Sequence, residues 1–145
     1  MKTATFEHAA LLAAFEDVKD NHGCAGVDGV TIGQFEKRLA VNLAGLRSEL
    51  NDGTYFPLPL MKIQVAKKNG EPRGLCIPTV RDRVVQTAVL HRINSLFEKE
   101  FEECSFAYRQ GRSVRQAVMR IKEFHEQGYR WVVDADIDAF FDHPC

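Results

Sequence analysis

The sequence lacks any long apolar run. No stretch of its 145 residues approaches the roughly 20 consecutive apolar residues that a membrane-spanning helix needs. The N-terminus also lacks the basic segment followed by a long apolar stretch that marks a secretory signal. These absences argue against a helical membrane protein and predict a cytoplasmic one that makes no contact with membranes.

Cysteine is scarce, and its spacing forms no motif. The four cysteines lie far apart, at Cys24, Cys76, Cys104 and Cys145. No CxxC pair is present, so the spacing indicates neither a disulfide framework nor a zinc ribbon. Reduced, structural cysteines in a cytosolic protein are the simplest interpretation.

Net charge is almost absent as well, at −1, and therefore favours no class of partner. The charges are unevenly distributed, however. Residues 106–122 hold five basic and no acidic side chains, and residues 61–83 hold six basic against two acidic. Residues 134–142 hold four acidic side chains and no basic one. Two basic zones and one acidic zone suggest a polyanion held beside a metal ion, and a solvated mixture of surface charges is the alternative.

Capping residues and apolar spacing predict four helices. Two cover residues 5–21 and 31–52, and two more begin at Thr79 and Ser113. Thr31, with Gln34 three residues later, is typical of a capping box. In the last helix the spacing predicts an inward apolar face that consists of Val114, Ala117, Val118, Ile121 and Phe124. Between the first two helices, the glycines of residues 25–30 predict a structural turn.

A β-hairpin is predicted in the middle of the chain. Residues 61–66 alternate like a strand, Asn69-Gly70 is typical of a hairpin turn, and residues 73–77 return. The stretch before it, residues 55–59, carries two prolines and is predicted to be an extended linker. Lys67 and Arg73 would then flank the tip of the hairpin, where they could converge on a phosphate group.

Residues 131–138 predict a strand with an acidic face. Because side chains alternate along a strand, Asp134, Asp136 and Asp138 would point the same way. Aspartates at that spacing repel one another, and strands disfavour them. Oxygen ligands gathered in this way suit a hard divalent cation.

Four blocks in this order resemble the N-terminal part of bacterial reverse transcriptases of the group II intron class and of related CRISPR-associated enzymes. They are GVDGVT at residues 26–31, KKNGEPRGLCIP with DRVVQ at residues 67–78 and 82–86, SFAYRQGRS at residues 105–113, and DADIDAFFD at residues 134–142. The resemblance implies an α+β fold, mostly helical, with a β-hairpin and the first catalytic palm strand. It divides the chain into an N-terminal helical extension at 1–55, fingers at 56–128 and the start of a palm at 129–145.

The resemblance also implies a role for individual residues. Asp136 matches the family's first catalytic, metal-binding aspartate, and the backbone carbonyl of Ile137 would be a further ligand. The residues implied in nucleotide binding are Lys67, Arg73, Phe141 and, one position away, Phe140. The residues implied in binding the template are Arg109, Arg112 and Arg115.

The implied function is RNA-directed DNA polymerisation with Mg²⁺, or Mn²⁺ in its place. The implied partners are an RNA template, a DNA or RNA primer and deoxynucleoside triphosphates; intron RNA and CRISPR adaptation proteins are further candidates. The family's second palm motif, an aromatic residue followed by two adjacent aspartates, occurs nowhere in the sequence. We therefore expect this chain to be a fragment that is inactive alone, with an exposed palm strand able to pair with another chain. An RNA-binding module and a degenerate polymerase domain with a structural role are the alternatives.

Overall fold

The computed structural model describes residues 5–66, 70 and 72–137. Its elements, in chain order, are α1 (His8–Asp20), α2 (Ile32–Lys37), α3 (Leu39–Asp52), β1 (Met61–Ala66), β2 (Pro72–Ile77), α4 (Val80–Phe97) and α5 (Val114–Glu126). The predicted class, α+β with mostly helices and one hairpin, is confirmed. No described helix is both long and apolar enough to cross a membrane.

The chain forms two units, Met1–Phe97 and Glu98–Cys145. Within the first unit, α4 packs along α1. The divisions predicted at 55/56 and 128/129 stay predictions.

Three helices of the first unit, α1, α3 and α4, enclose one apolar core. Its fully buried side chains include Leu11 and Phe15 from α1, Leu43 from α3, and Val80 and Val84 from α4. Burial of each such side chain contributes about 1.5–3 kcal/mol. This core therefore fixes the position of α4 and of the residues in its first turn.

The helix predicted over residues 31–52 is interrupted. It begins as expected, because the Thr31 hydroxyl accepts a hydrogen bond from the Gln34 amide at 3.2 Å and the Gln34 side chain accepts one from the Thr31 amide at 2.8 Å. At Arg38, however, the backbone leaves helical geometry (φ −122°, ψ 28°). The side chain of Asn42 donates to the Phe35 carbonyl at 2.9 Å, which supplies this carbonyl with a partner at the break. The break coincides with the inward packing of Phe35, whose ring stacks on that of Phe15 at 5.6 Å.

The predicted turn at residues 25–30 is pressed against the start of α4. The Gly29 amide donates to the Gly26 carbonyl at 3.1 Å, and Gly29 adopts a left-handed backbone with φ +69°. A Cβ atom at Gly26 would lie 2.6 Å from the Cα atom of Thr79, closer than real Cβ atoms approach. Arg83 fastens the same loop by donating to the Cys24 carbonyl at 2.5 Å. Glycine at position 26 therefore permits a backbone-to-backbone contact.

The hairpin is antiparallel, as predicted. Its register pairs Met61 with Ile77 at the base and Ala66 with Pro72 near the tip. Neither strand makes an extended contact with a described helix, and most described side chains of the two strands are exposed. The sheet has these two strands alone within the described residues.

In the second unit, α5 begins and ends as the sequence predicts but buries nothing. The Ser113 hydroxyl accepts from the Gln116 amide at 3.3 Å, and Gly128 (φ +100°) follows the last turn. The predicted inward face is wrong for the described structure, since Val114 is 81% and Val118 57% exposed. An amphipathic helix buries its apolar stripe only against a partner surface, and none covers α5 among the described residues of this unit.

The acidic stretch lies outside any helix or strand over residues 131–137. Trp131 is 94% exposed and Val133 is equally open to solvent. The sequence pattern there is that of a strand, but a strand needs hydrogen-bond partners on a neighbouring strand. Because the described residues supply no such neighbour, the predicted palm strand has no ladder to join.

Gly26→Ala is expected to lower the free energy of unfolding by about 1–3 kcal/mol, because the added methyl group would press on the Thr79 backbone. Gly45→Ala in α3 is the matched control. A Cβ atom there meets no atom within 4 Å, so alanine should raise the free energy of unfolding by about 0.5–1 kcal/mol. Urea denaturation followed by circular dichroism measures both, and equal tolerance at the two positions would contradict the close contact.

Candidate functional site

A buried carboxylate lies at the base of the hairpin. Asp82, in the first turn of α4, is 2% exposed. Its Oδ1 accepts a hydrogen bond from the Tyr55 hydroxyl at 2.7 Å. Its Oδ2 accepts from the Leu58 amide at 3.1 Å and from the Thr79 hydroxyl at 2.7 Å. These bonds compensate the loss of water around the carboxylate, since a buried charge is tolerated only when it is well hydrogen-bonded.

Tyr55 is held in its protonated, donating form. Burial, followed by the hydrogen bond to Asp82, raises the pKa of its hydroxyl well above the usual 10.0. The guanidinium of Arg81 lies over the Tyr55 ring, 5.2 Å from its centre, and forms an ion pair with Glu49 of α3. The sequence indicated only that Thr79 and Asp82 cap a helix; the Asp82 amide does donate to the Thr79 hydroxyl at 3.2 Å. Nothing in the local sequence pattern predicted the hydrogen bonds that Tyr55 and Leu58 donate to Asp82.

The hairpin carries one predicted nucleotide-binding residue on its described backbone. Arg73 is the second residue of β2 and pairs with Val65 of β1. Lys67, which follows β1 directly, lies outside the described residues, as do Phe140 and Phe141. The convergence of Lys67 and Arg73 on a phosphate therefore stays a prediction.

Arg109, expected to contact a template, is engaged inside the second unit. Its side chain is 6% exposed. The guanidinium donates to the Glu98 carboxylate at 2.6 and 3.0 Å and to the carbonyls of Glu102 and Ser105 at 2.8 and 2.9 Å. It also lies 5.1 Å from the centre of the Phe101 ring. These contacts use most of its N–H groups, so Arg109 links Glu98 to the loop that follows α4. Its contact with a template stays a prediction.

Glu98 is the residue that sequence reasoning missed here. It is the first residue of the second unit and lies eleven positions before its partner Arg109. Hydrogen bonding to Arg109 lowers the pKa of the Glu98 carboxyl below its usual 4.5. An acidic residue near a helix C-terminus is locally unfavourable, and this mismatch was the one sequence signal that pointed to a distant partner.

Arg112 and Arg115 are oriented differently from Arg109. The guanidinium of Arg112 lies over the Phe106 ring, 5.6 Å from its centre. Arg115, in the first turn of α5, is exposed and forms no ion pair with the described residues. Tyr108, which precedes both along the chain, is fully exposed and has a left-handed backbone (φ +56°). That conformation is unfavourable for a residue with a Cβ atom, so the loop holds an aromatic ring in water at some energetic cost.

The predicted metal ligands are exposed. Asp136 accepts a hydrogen bond from the Ile137 amide at 2.9 Å through Oδ1. Its other oxygen and the Ile137 carbonyl are of the hard type that Mg²⁺ prefers. No group of three histidine, cysteine or acidic side chains able to hold a metal occurs in the part of the chain that the structure describes. These residues therefore fit a share of a metal site rather than a whole one.

The segment that contains Asp136 and Ile137 is similar to known proteins. Residues 65–143 match the family model described as reverse transcriptase (RNA-dependent DNA polymerase). Protein YkfC of Escherichia coli is 40% identical over 121 residues, which are 81% of this chain and 32% of that protein. The group II intron-encoded protein LtrA of Lactococcus lactis is 35% identical over 132 residues, 90% of this chain and 22% of that protein.

A plant protein is also similar to this chain over part of its length. Nuclear intron maturase 2, mitochondrial, of Arabidopsis thaliana is 34% identical over 97 residues, 67% of this chain and 12% of that protein. The chain thus spans less than one third of the length of these curated relatives. Its similarity to each of them is similarity to a part.

In a carbon-13 NMR titration, the Glu98 carboxyl should titrate below its usual pKa of 4.5. Because the folded pKa is depressed, the pair with Arg109 stabilises the loop above that pH and is lost as the pH falls through the depressed pKa. Arg109→Gln should return the midpoint toward the usual value. Arg112→Gln, which removes a smaller contribution, should shift it less, and equal shifts in both variants would refute the pairing.

Proposed function

Because the chain belongs to the reverse transcriptase family, we propose that it forms the fingers and the start of the palm of an RNA-directed DNA polymerase. The observation that carries this proposal is the family match over residues 65–143, more than half of the chain. That segment contains the last two residues of β1, all of β2, the loop of Arg109 and the acidic stretch of Asp136. The similarity to intron-encoded relatives makes group II intron RNA a candidate partner of the whole protein.

In the complete polymerase, Asp136 and the Ile137 carbonyl would hold a divalent ion, Mg²⁺ or Mn²⁺. Reverse transcriptases use divalent ions, which activate the primer hydroxyl and stabilise the leaving oxygens during nucleotidyl transfer. The contribution of this chain is one carboxylate and one carbonyl, kept exposed. Two adjacent aspartates, the remaining acidic motif of the family, are absent from the sequence, so these 145 residues should not synthesise DNA by themselves.

The hairpin would hold the incoming deoxynucleoside triphosphate. Lys67 supplies a compact positive charge and Arg73 a planar guanidinium that can donate two parallel hydrogen bonds to phosphate oxygens. Phe141, or its neighbour Phe140, would lie against the sugar and exclude a ribose hydroxyl. The template and a DNA or RNA primer complete the set of partners.

A second candidate function is RNA binding by the loop before α5, and the exposed ring of Tyr108 favours it. Exposed aromatic rings beside arginines suit single-stranded nucleic acid, because bases stack on the rings while guanidinium groups contact phosphates. Arg112 and Arg115 lie within a few positions of Tyr108 along the chain. In a polymerase the same surface would contact the template, so the two functions are compatible.

In a polymerase that contains this chain, Asp136→Asn should reduce primer extension by more than the roughly 10–100-fold that follows loss of a hydrogen-bond partner of a metal ligand. The amide keeps the shape of the side chain but removes the charge that would bind the ion. Asp134→Asn is the matched control and should leave synthesis near its original rate. Retained synthesis in Asp136→Asn would overturn the ligand assignment.

Binding of a single-stranded RNA by the 145-residue chain should weaken steeply as salt rises. Each phosphate contact on a single strand contributes about 0.7 to the slope of log affinity against log salt. Arg115→Gln should therefore reduce the slope by about 0.7. Lys37→Gln on α2, also an exposed cation, should leave the slope unchanged, and equal effects of the two variants would exclude a defined RNA surface at the start of α5.

A further inference from the structure

The direction of the β1–β2 hairpin is not set by packing of its strands. Neither strand makes an extended contact with a described helix, and side chains such as Val65 and Leu75 are exposed. A hairpin of two strands is marginally stable alone and does not orient itself. Its direction relative to the helical core must therefore come from its base, where the chain enters and leaves it.

Both ends of the hairpin are bound to a single side chain. The entering segment reaches Asp82 through the Tyr55 hydroxyl and the Leu58 amide, three residues before β1 begins. The leaving segment reaches it through the Thr79 hydroxyl, two residues after β2 ends. The two carboxylate oxygens thus bring together chain segments that are more than 20 residues apart in sequence.

Both segments are also stiff. Leu58 lies between Pro57 and Pro59, and Pro78 precedes Thr79. Proline fixes its own φ angle and restricts the residue before it. Because the backbone angles of such a segment can vary little, the direction of the adjoining strand is fixed once the segment is bound to Asp82.

Asp82 itself is anchored. It lies in the first turn of α4, between Val80 and Val84, whose side chains are fully buried in the core of the first unit. The backbone of Gly26 lies against the backbone of Thr79. The carboxylate therefore has a fixed position in the helical core, and the hairpin is bound to the core through it.

We propose that Asp82 is a positioning residue that sets the direction of the β1–β2 hairpin relative to α4. Because Arg73 lies in β2, Asp82 thereby also sets the affinity of the chain for the nucleotide. This second part of the inference rests on the proposed function. Asp82 touches no substrate in this role. It acts through the two chain segments that it joins.

The test compares variants of the 145-residue chain in two measurements. Asp82→Ala removes both acceptor oxygens, and Asp82→Asn, which keeps the side-chain shape and one acceptor, serves should the alanine variant not fold. Glu49→Gln is the matched control, because it breaks the neighbouring ion pair with Arg81 but removes none of the hydrogen bonds to Asp82. Residual dipolar couplings of backbone amides report the direction of β1 and β2 relative to α4, and a titration with deoxythymidine triphosphate and Mg²⁺ reports affinity.

In the Asp82 variants, the couplings of β1 and β2 should change or average while those of α1 and α4 persist. Nucleotide affinity should fall by roughly fivefold or more, in the range typical of coupling between separated sites. Glu49→Gln should leave both measurements unchanged. Couplings of the hairpin that match those of the original chain would overturn the inference, as would an altered direction with unchanged affinity.

Failure of the proposed function gives a different result. If the original chain binds no deoxythymidine triphosphate, nucleotide binding by the hairpin is refuted, while the couplings still decide whether Asp82 sets its direction.

Discussion

The buried carboxylate of Asp82 is the interaction on which the arrangement of the first unit depends. It joins the linker before the hairpin, the residue after the hairpin and the start of α4 in one hydrogen-bonded group. Apolar packing explains how α1, α3 and α4 enclose a core. It does not explain how an exposed two-stranded hairpin keeps a direction, and for that directional hydrogen bonds are needed, because the hydrophobic effect is proportional to area and has no direction.

A charged group suits this position better than an apolar one. A buried carboxylate is unfavourable unless its oxygens are occupied, so the linker and the helix start must both be in place for the unit to be stable. Removal of one partner leaves an unsatisfied charge, which is more harmful than loss of a single average hydrogen bond. The arrangement therefore favours one geometry of the hairpin base over nearby alternatives.

In the second unit a positively charged side chain, that of Arg109, joins separate chain segments as the Asp82 carboxylate does in the first. The guanidinium of Arg109 binds Glu98 and two backbone carbonyls, and so closes the loop that follows α4. Contact of Arg109 with a template stays a prediction, and so does contact by Arg112, which lies over the Phe106 ring, and by Arg115, which is exposed at the start of α5. The sequence places all three within seven residues, and their composition alone could not show which of them binds Glu98.

The sequence by itself determined the features that depend on residues three or four positions apart. The caps at Thr31 and Ser113 and the class of the fold follow from short-range hydrogen bonds and from apolar spacing, and the order of the four family blocks identified the family. Only the tertiary structure decided that Tyr55 binds Asp82 across 27 positions, and that Arg109 turns inward to Glu98. It also decided that residues 131–137 join no sheet, since a strand is defined by its neighbour. Long-range partners depend on how the whole chain packs. A local pattern can indicate that a residue such as Glu98 needs a partner, but it does not identify that partner.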